Sequence, residues 1–244
     1  MIDPGADPRL AWHAFASETA WIAASIEATR AAIGAELSIH PRTLLLLSGG
    51  TTPAPVYRAL SQVELDWSRV VVSLVDDRDV ARDADGSNAH LLRETLLTGP
   101  AGAATFWPLR EIAGSLDDAV QAANQRWSTN GEPLSVAAAL LGMGDDGHTA
   151  SLFPGARNLD VALASSQAYV AIDATGCPVA GEWPRRISLT PHGLARARQR
   201  VLLIRGPGKR AVLERALAPG AVQEMPIRIV LDAPGTPLQV FWCA

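Results

Sequence analysis

Residues 136–155 read VAAALLGMGDDGHTASLFPG, an apolar run that stops at glycine and continues into aspartate, histidine and hydroxyl side chains. Six apolar residues in a row (136–141), followed at once by Gly142, predict a buried strand. Ligands of open parallel sheets bind beyond the carboxyl ends of the strands. The segment after Leu141 is therefore predicted to be a loop that carries His148 to the mouth of a cleft.

The polar part of this segment has three explanations. Gly-Asp-Asp-Gly is a common turn sequence, and a single histidine is often a hydrogen-bonded structural residue. Asp145, Asp146 and His148 are all possible metal ligands, but no HExxH motif or Cys/His cluster accompanies them. The third explanation is an acid–base site, and it is favoured by the combination of Asp146 two residues before His148, flexible glycines, and Thr149 and Ser151 directly after.

The whole chain alternates apolar runs with helical patterns, which predicts an α/β fold with a mostly parallel sheet and helices on both faces. Strands are predicted at 43–47, 70–75, 104–107, 136–141, 169–172, 186–189, 201–204 and 238–242. Helices are predicted at 9–33, 53–60, 88–97, 116–127, 191–197 and 209–217. With 244 residues, 48% of them hydrophobic, the chain is expected to form one domain, 1–244.

Composition narrows the class of protein. The net charge of −4 and the scattered basic residues give no support for nucleic-acid binding. Cys177 and Cys243 are too few for a disulfide framework and are expected to be unpaired thiols. The first residues, MIDPGADPRL, do not resemble a signal peptide, and no apolar run reaches membrane-spanning length. We therefore expect a cytoplasmic protein with no membrane partner.

A second candidate site follows the first predicted strand, where residues 48–53 read SGGTTP. Such a strand-to-helix turn points free backbone N–H groups, with the positive end of the helix dipole, at a phosphate or carboxylate. The alternative is structural, with Thr52 capping the helix and the glycines allowing a tight turn. The turn is neither a Walker A loop nor a GxGxxG motif, so a nucleotide is not expected.

Residues 146–154 (DGHTASLFP) resemble the signature of the 6-phosphogluconolactonases, in a superfamily shared with the glucosamine-6-phosphate deaminases. The resemblance covers nearly the whole chain. Its other parts occur in the family's order: LSGGTTP (47–53), DDR (76–78), SN (87–88), RISLT (186–190) and GK (208–209).

The resemblance implies a Rossmann-like fold similar to the sugar-phosphate isomerases and deaminases. It also implies hydrolysis of 6-phospho-D-glucono-1,5-lactone to 6-phosphogluconate, in the oxidative pentose phosphate pathway, without cofactor or metal. His148 would be the general base that activates water, Asp146 would orient it, and backbone N–H groups of residues 142–147 are plausible oxyanion donors. The residues predicted to bind substrate or phosphate are Ser48, Gly49, Gly50, Thr51, Asp76, Arg78, Gly144, Arg186 and Lys209.

Local sequence bears on three of these assignments, those of Lys209, Arg186 and Asp76. Lys209, the only lysine, begins a predicted helix, where a cation opposes the dipole unless an anion binds there. Arg185 could take the role given to Arg186. Asp76 aligns with the catalytic base of the deaminases, so it is expected to line the site without that role. Ser87 is explained by helix capping, and neither it nor Asn88 is assigned to catalysis.

Two other functions stay open from the sequence. A deaminase or isomerase of amino-sugar phosphates would need a glutamate, which the deaminases carry in a Phe-Asn-Glu-Pro stretch; here residues 151–154 read SLFP. A non-catalytic sugar-phosphate sensor could use the same fold, although no helix-turn-helix segment is present. The oligomeric state is left as a monomer or a small homo-oligomer.

Overall fold

A computed structural model describes residues 3–110, 114–128 and 134–244. Two sheets are formed by strands β1 (Leu10–Phe15), β2 (Thr43–Leu47), β3 (Val70–Leu74), β4 (Asp76–Arg78), β5 (Thr105–Trp107), β6 (Ser135–Leu141), β7 (Tyr169–Asp173), β8 (Arg185–Leu189), β9 (Ala197–Arg205) and β10 (Leu238–Cys243). The helices are α1 (Glu18–Leu37), α2 (Ala54–Leu60), α3 (Asn88–Thr95), α4 (Leu116–Ser128), α5 (Leu159–Leu163), α6 (Pro191–Leu194), α7 (Gly206–Leu217) and α8 (Arg228–Leu231).

The larger sheet has seven strands in the order β1-β10-β9-β6-β2-β3-β5, and every neighbouring pair is parallel. β2 and β6 lie side by side, and the chain builds outward from them in both directions. The loops that follow these two strands therefore diverge and leave a crevice between them. This switch point is where a ligand site is expected.

The centre of this sheet is buried on both faces. All residues of β2 and β3 are buried, as is β6 from Val136 onward. Parallel strands covered by helices read as continuous apolar runs, which explains why these strands could be recognised in the sequence. α1 packs across β1, β2, β6, β9 and β10. The predicted mostly parallel α/β class is confirmed.

The structure contains a second, three-stranded sheet that the sequence does not predict. β7 and β8 do not join the parallel sheet; they pair antiparallel with β4 in the order β4-β8-β7. The sequence predicts a charged segment at 76–78 after a strand, without a strand of its own, whereas these residues form β4. Their pairing sets Asp76 opposite Ser188 and Arg78 opposite Arg186.

The N-terminal prediction was wrong in part. Residues 9–33 were predicted as one helix, but 10–15 form the edge strand β1 and the helix begins at Glu18. The reason is a long-range pairing, since β1 lies parallel to β10 at the other end of the chain. Ser17 caps α1 by accepting a hydrogen bond from the N–H of Ala20, 3.2 Å away.

Smaller corrections concern the second half of the chain. The helix predicted at 191–197 ends at Leu194, because Ala197 already begins β9. The short helices α5 and α8 were not predicted. Both cysteines are free, as expected. No helix within the described ranges has the length and apolar character needed to cross a membrane.

Candidate active site

A cleft of about 280 Å³ opens at the switch point between β2 and β6. It is bounded by the loops after these strands and by residues of β4, β8 and α7. Of the predicted site residues, the structure places Ser48, Gly49, Gly50, Thr51, Asp76, Arg78, Gly144, His148, Arg186 and Lys209 on its wall. Asp146 does not line the cleft and lies behind His148.

His148 and Asp146 are in direct contact, a point that their spacing alone could not decide. Nδ1 of His148 is 2.6 Å from Oδ1 of Asp146, which also accepts the backbone N–H of His148 at 3.1 Å. Burial alone would raise the pKa of the Asp146 carboxyl, but the hydrogen bonds and charge of His148 outweigh it and hold this pKa below its usual value. An ionised Asp146 can only accept, so Nδ1 of His148 carries the proton of this hydrogen bond. When the ring is neutral, Nε2 therefore holds the lone pair.

The loop that carries this pair depends on Gly144. A Cβ atom at position 144 would overlap Nδ1 of His148 and Oδ1 of Asp146, so only glycine fits. The N–H of Gly144 donates to the carbonyl of His148 (2.9 Å), and that of Gly147 donates to the carbonyl of Gly144 (3.1 Å). These two N–H groups close the loop on itself. The expectation that the 142–147 backbone supplies oxyanion donors therefore does not hold for them.

Behind His148 the chain makes a second sharp turn. Ala150 has φ of +52°, the left-handed region that L-residues other than glycine seldom adopt. The turn brings Phe153 under the imidazole, with ring centroids 4.3 Å apart. Phe153 is almost fully buried and lies beneath the guanidinium of Arg186 at 5.3 Å. An apolar ring therefore supports both polar side chains from below.

Antiparallel pairing of β4 with β8 brings together two of the site's cations. Arg78 and Arg186 are directly opposite each other in register, so their side chains share one face of the sheet. Burial lowers the pKa of Arg186 to about 10, opposed by the nearby carboxylate of Asp76. Arg186 thus stays protonated at neutral pH. The buried Nε of Arg78 has no hydrogen-bond partner in the described part of the chain.

Strand alternation explains why Arg186, and not its neighbour Arg185, lines the cleft. Arg186 is buried and lines the cleft, whereas Arg185 points to the other face, is largely exposed and lies 3.3 Å from Asp79. Successive residues of a strand face opposite sides. Of the two, Arg186 is the one placed to meet a ligand.

Lys209 reaches the cleft from the first turn of α7. Its Nζ donates to the carbonyl of Met143 at 2.8 Å and lies 2.7 Å from Oδ1 of Asp145. Asp145 is thereby paired with Lys209, while Asp146 is paired with His148, so the three residues considered as metal ligands are not assembled around one point. Within residues 3–110, 114–128 and 134–244 no group of three or more His, Cys, Asp or Glu side chains could hold a metal ion.

The loop after β2 forms the remaining wall. The side chain of Ser48 is buried at the cleft, and its Oγ has no hydrogen-bond partner among the described residues. Thr52 does not cap α2, because the N-cap is Pro53 and no side chain caps the helix. A Cβ atom on Gly49 would overlap the side-chain amide of Asn88. Gly49 therefore allows close packing of the loop against Asn88. The unpartnered hydroxyl of Ser48 could form a hydrogen bond with a ligand.

Two features of the site were not found from the sequence. Asn88, assigned only to a helix start, lines the cleft and donates from Nδ2 to the carbonyl of Asp76 at 2.8 Å. Ser151 donates from Oγ to Oδ2 of Asp76 at 2.5 Å and accepts from Nη1 of Arg186 at 3.4 Å. These residues come from separate strands and loops, so no local pattern signals that they form one network.

The switch-point cleft contains a histidine that is hydrogen-bonded to a carboxylate, together with three cationic side chains. This arrangement is typical of an enzyme that acts on an anionic substrate. The family model described as glucosamine-6-phosphate isomerases/6-phosphogluconolactonase matches residues 16–242. The chain belongs to this family.

Individual relatives agree with the family match. A 6-phosphogluconolactonase of Xylella fastidiosa strain Temecula1 is 48% identical over 209 residues, 86% of each chain. One from Rhizobium meliloti is 40% identical and covers 94% of this chain and 97% of its own. A crystal structure of a 6-phosphogluconolactonase from Shewanella baltica has a TM-score of 0.87 at 33% identity, covering 95% and 96%. A monomeric glucosamine-6-phosphate deaminase shares the fold, with a TM-score of 0.72 at 17% identity and coverage of 95% and 96%.

Proposed function

We propose that this protein is a 6-phosphogluconolactonase, which hydrolyses the ester bond of 6-phospho-D-glucono-1,5-lactone to give 6-phosphogluconate. The observation that carries the proposal is the Asp146–His148 pair, in which the hydrogen bond through Nδ1 leaves Nε2 free at a cleft lined by cations. The names of the relatives support the same reaction.

His148 is the general base in this proposal. Its Nε2 takes a proton from a water molecule as the water oxygen attacks C1 of the lactone. The resulting imidazolium is stabilised by the Asp146 carboxylate at Nδ1. When the tetrahedral intermediate collapses, the bond from C1 to the ring oxygen breaks, and the imidazolium returns its proton to that oxygen. Water is the only co-reactant.

The cations of the cleft hold the substrate's phosphate and stabilise the negative charge that develops on the carbonyl oxygen bonded to C1. Lys209 is assigned to the phosphate, as the family resemblance implies. Its present partner, the Asp145 carboxylate, has a side chain 82% exposed, so water can solvate Asp145 when an anion takes its place. The buried and unpartnered Ser48 hydroxyl supplies a further contact from the loop after β2. Arg78 and Arg186 face the lactone from the opposite wall.

The deaminase alternative is disfavoured by residue 153. Where the resemblance places the deaminase glutamate region, this chain has Phe153, almost fully buried and packed on the His148 ring. A phenyl ring cannot transfer protons. The lactone reaction needs only one acid–base group at this point, which His148 supplies.

The direct test measures the hydrolysis of freshly prepared lactone over its spontaneous background, in parallel with ammonia release from glucosamine 6-phosphate. We expect a large acceleration of the first reaction and none of the second. Ammonia release would support the deaminase instead. Binding of sugar phosphates without turnover of either compound would support a sensor.

Three expectations from the sequence remain predictions under this proposal. They are a cytoplasmic location, the lack of nucleic-acid partners, and a monomer or small homo-oligomer. Sedimentation of the purified protein measures the last of these directly.

A further inference from the structure

A second cavity, of about 530 Å³, lies at the end of the central sheet opposite the candidate active site. Its walls come from the beginnings of β6 and β9 and from the turn that precedes β10. β6 and β9 are parallel, so the opposite ends of these two strands both lie at the active-site cleft. Lining residues that matter for the argument are His40, Ser135, Arg196, Arg198, Arg200 and Thr236.

The cavity exists because β9 starts earlier than its neighbour β10. Ala197 already pairs with Val136 of β6, but pairing with β10 begins only where Val201 meets Gln239. Residues 197–200 therefore have a strand on one side only. The turn at 233–236 lies on the other side. The two shortest hydrogen bonds that hold it run from Nη2 of Arg200 to the carbonyl of Thr236 at 2.7 Å and from Oγ1 of Thr236 to the carbonyl of Arg198 at 3.1 Å.

The cavity, which we call the basic cavity, carries an excess of positive charge. Arg198 and Arg200 are two residues apart on β9 and share one face, and Arg196 precedes them at the same spacing. One carboxylate is close, since Glu36 has an oxygen 3.8 Å from Nε of Arg198. Glu36 also accepts the hydroxyl of Ser135 and lies 3.6 Å from Nε2 of His40. Among the residues that the structure describes, three guanidinium groups and one carboxylate leave two positive charges when His40 is neutral.

Arg200 gives the second observation that points to a ligand. Its side chain is only 2% exposed, yet its buried Nε has no hydrogen-bond partner in the described part of the chain. Its bonded partners are backbone carbonyls of the 233–236 turn, which carry no full charge. A buried cation that lacks a counter-ion and leaves a donor unpaired is costly. An anion in the basic cavity would supply the missing counter-charge.

We propose that the basic cavity binds a phosphate-bearing metabolite. The two uncompensated charges match a phosphate dianion, and guanidinium groups present paired N–H donors that fit phosphate oxygens. Arg198, with its side chain 66% exposed, meets the phosphate from solvent, and Arg200 fixes the floor. Arg196 completes the binding group from beside the Trp127 ring, which its guanidinium covers at 4.8 Å. This site is separate from lactone hydrolysis and does not depend on it.

The test titrates inorganic phosphate by calorimetry at low salt into protein carrying Lys209→Ala, which weakens phosphate binding at the active-site cleft. We expect one phosphate to bind this parent. Adding Arg198→Gln should weaken binding at least about tenfold, because a charge-assisted hydrogen bond is lost. The matched control is Arg157→Gln, since Arg157 is equally exposed (64%) and also paired with one carboxylate, Asp173 at 3.1 Å. It should bind as the parent does.

Three outcomes would overturn the proposal: no phosphate binding to the Lys209→Ala parent, equal affinity of the Arg198→Gln protein, or an equal loss in the Arg157→Gln control. Succinate serves as the carboxylate probe. Tighter binding of succinate than of phosphate would overturn the assignment of the ligand class. Lactone hydrolysis by Arg198→Gln with Lys209 intact should equal that of the wild type, so a failure here leaves the proposed enzyme activity untouched.

Discussion

The position of Lys209 at the start of α7 is explained by the charges around it. A cation in the first turn of a helix opposes the helix dipole, and in the structure it is compensated by the carbonyl of Met143 and by Asp145. Both partners belong to the loop that carries His148. The ammonium is therefore anchored next to the catalytic loop while remaining exchangeable towards an anion.

Replacing this lysine should separate binding from chemistry. We expect Lys209→Ala to raise KM for the phosphorylated lactone roughly 10- to 100-fold, the effect of losing one charge-assisted hydrogen bond, with kcat changed much less. The reason is that the phosphate contact is the same in ground and transition states. Steady-state kinetics measure both constants. Arg30→Ala, which removes an exposed cation of α1 that is paired with Glu27, is the control. A fall in kcat with KM unchanged for Lys209→Ala would refute the assignment.

At the scale of elements, Asp77 joins β4 to α3. Its buried carboxylate accepts the backbone N–H groups of Arg78 (2.8 Å) and Asn88 (2.7 Å) and the hydroxyl of Ser87 (3.2 Å). Burial raises the pKa of Asp77 to about 6, opposed by these backbone hydrogen bonds and assisted by the charge of Asp76. The strand that carries Asp76 and Arg78 therefore rests on a carboxyl group that takes up a proton at a higher pH than an exposed aspartate does.

This raised pKa predicts the sign of a pH effect on stability. Between the unfolded value of 3.8 and the folded value of about 6, the native state holds a proton that the unfolded state has lost. Asp77 thus stabilises the fold at low pH, and this contribution falls as pH rises through that window, by up to about 3 kcal/mol. Asp77→Asn mimics the protonated group and should lose this dependence.

Urea unfolding at a series of pH values measures the difference in unfolding free energy between the two proteins. The wild type should become less stable relative to Asp77→Asn as pH rises from about 4 to 6. A difference that is constant with pH, or that changes in the opposite direction, would show that Asp77 does not titrate in this window.

The turn at Ala150 stores a small amount of strain. A left-handed φ costs an L-residue about 1–2 kcal/mol, which glycine avoids at an entropic cost of about 0.5–1 kcal/mol. We expect Ala150→Gly to raise the unfolding free energy by up to about 1 kcal/mol, measured by the urea midpoint. Ala195, exposed and with φ of −62°, is the control. Ala195→Gly should lower the unfolding free energy. An equal decrease for Ala150→Gly would show that position 150 is not strained.

The elements that could be predicted are those whose signal is local. β2, β3 and β6 were found because continuous burial makes them apolar throughout. β1 was predicted as helix because its strand partner, β10, is more than 220 residues away along the chain. β4 was missed because it consists of charged residues, buried only through pairing with β8 and packing on α3. Tertiary pairing overrode local preference in both cases.

For the molecule as a whole, the site follows from the way the two sheets meet. The parallel sheet contributes the loops after β2 and β6, and the antiparallel sheet contributes the opposite wall with Asp76, Arg78 and Arg186. The family resemblance predicts residues on both walls, although the sequence does not predict the second sheet. It could not give the Ser151–Asp76–Arg186 network or the place of Asn88, which depend on how the sheets pack.

The central claim is that His148 is the base of a lactone hydrolase. The measurement that tests it compares the hydrolysis of fresh 6-phosphogluconolactone by wild type and by His148→Ala, with His192→Ala as a control at an exposed histidine. We predict a fall in kcat of roughly 10²- to 10⁴-fold for His148→Ala, with its fold intact by circular dichroism, and no change for His192→Ala. A folded His148→Ala protein that keeps the wild-type rate would contradict the account.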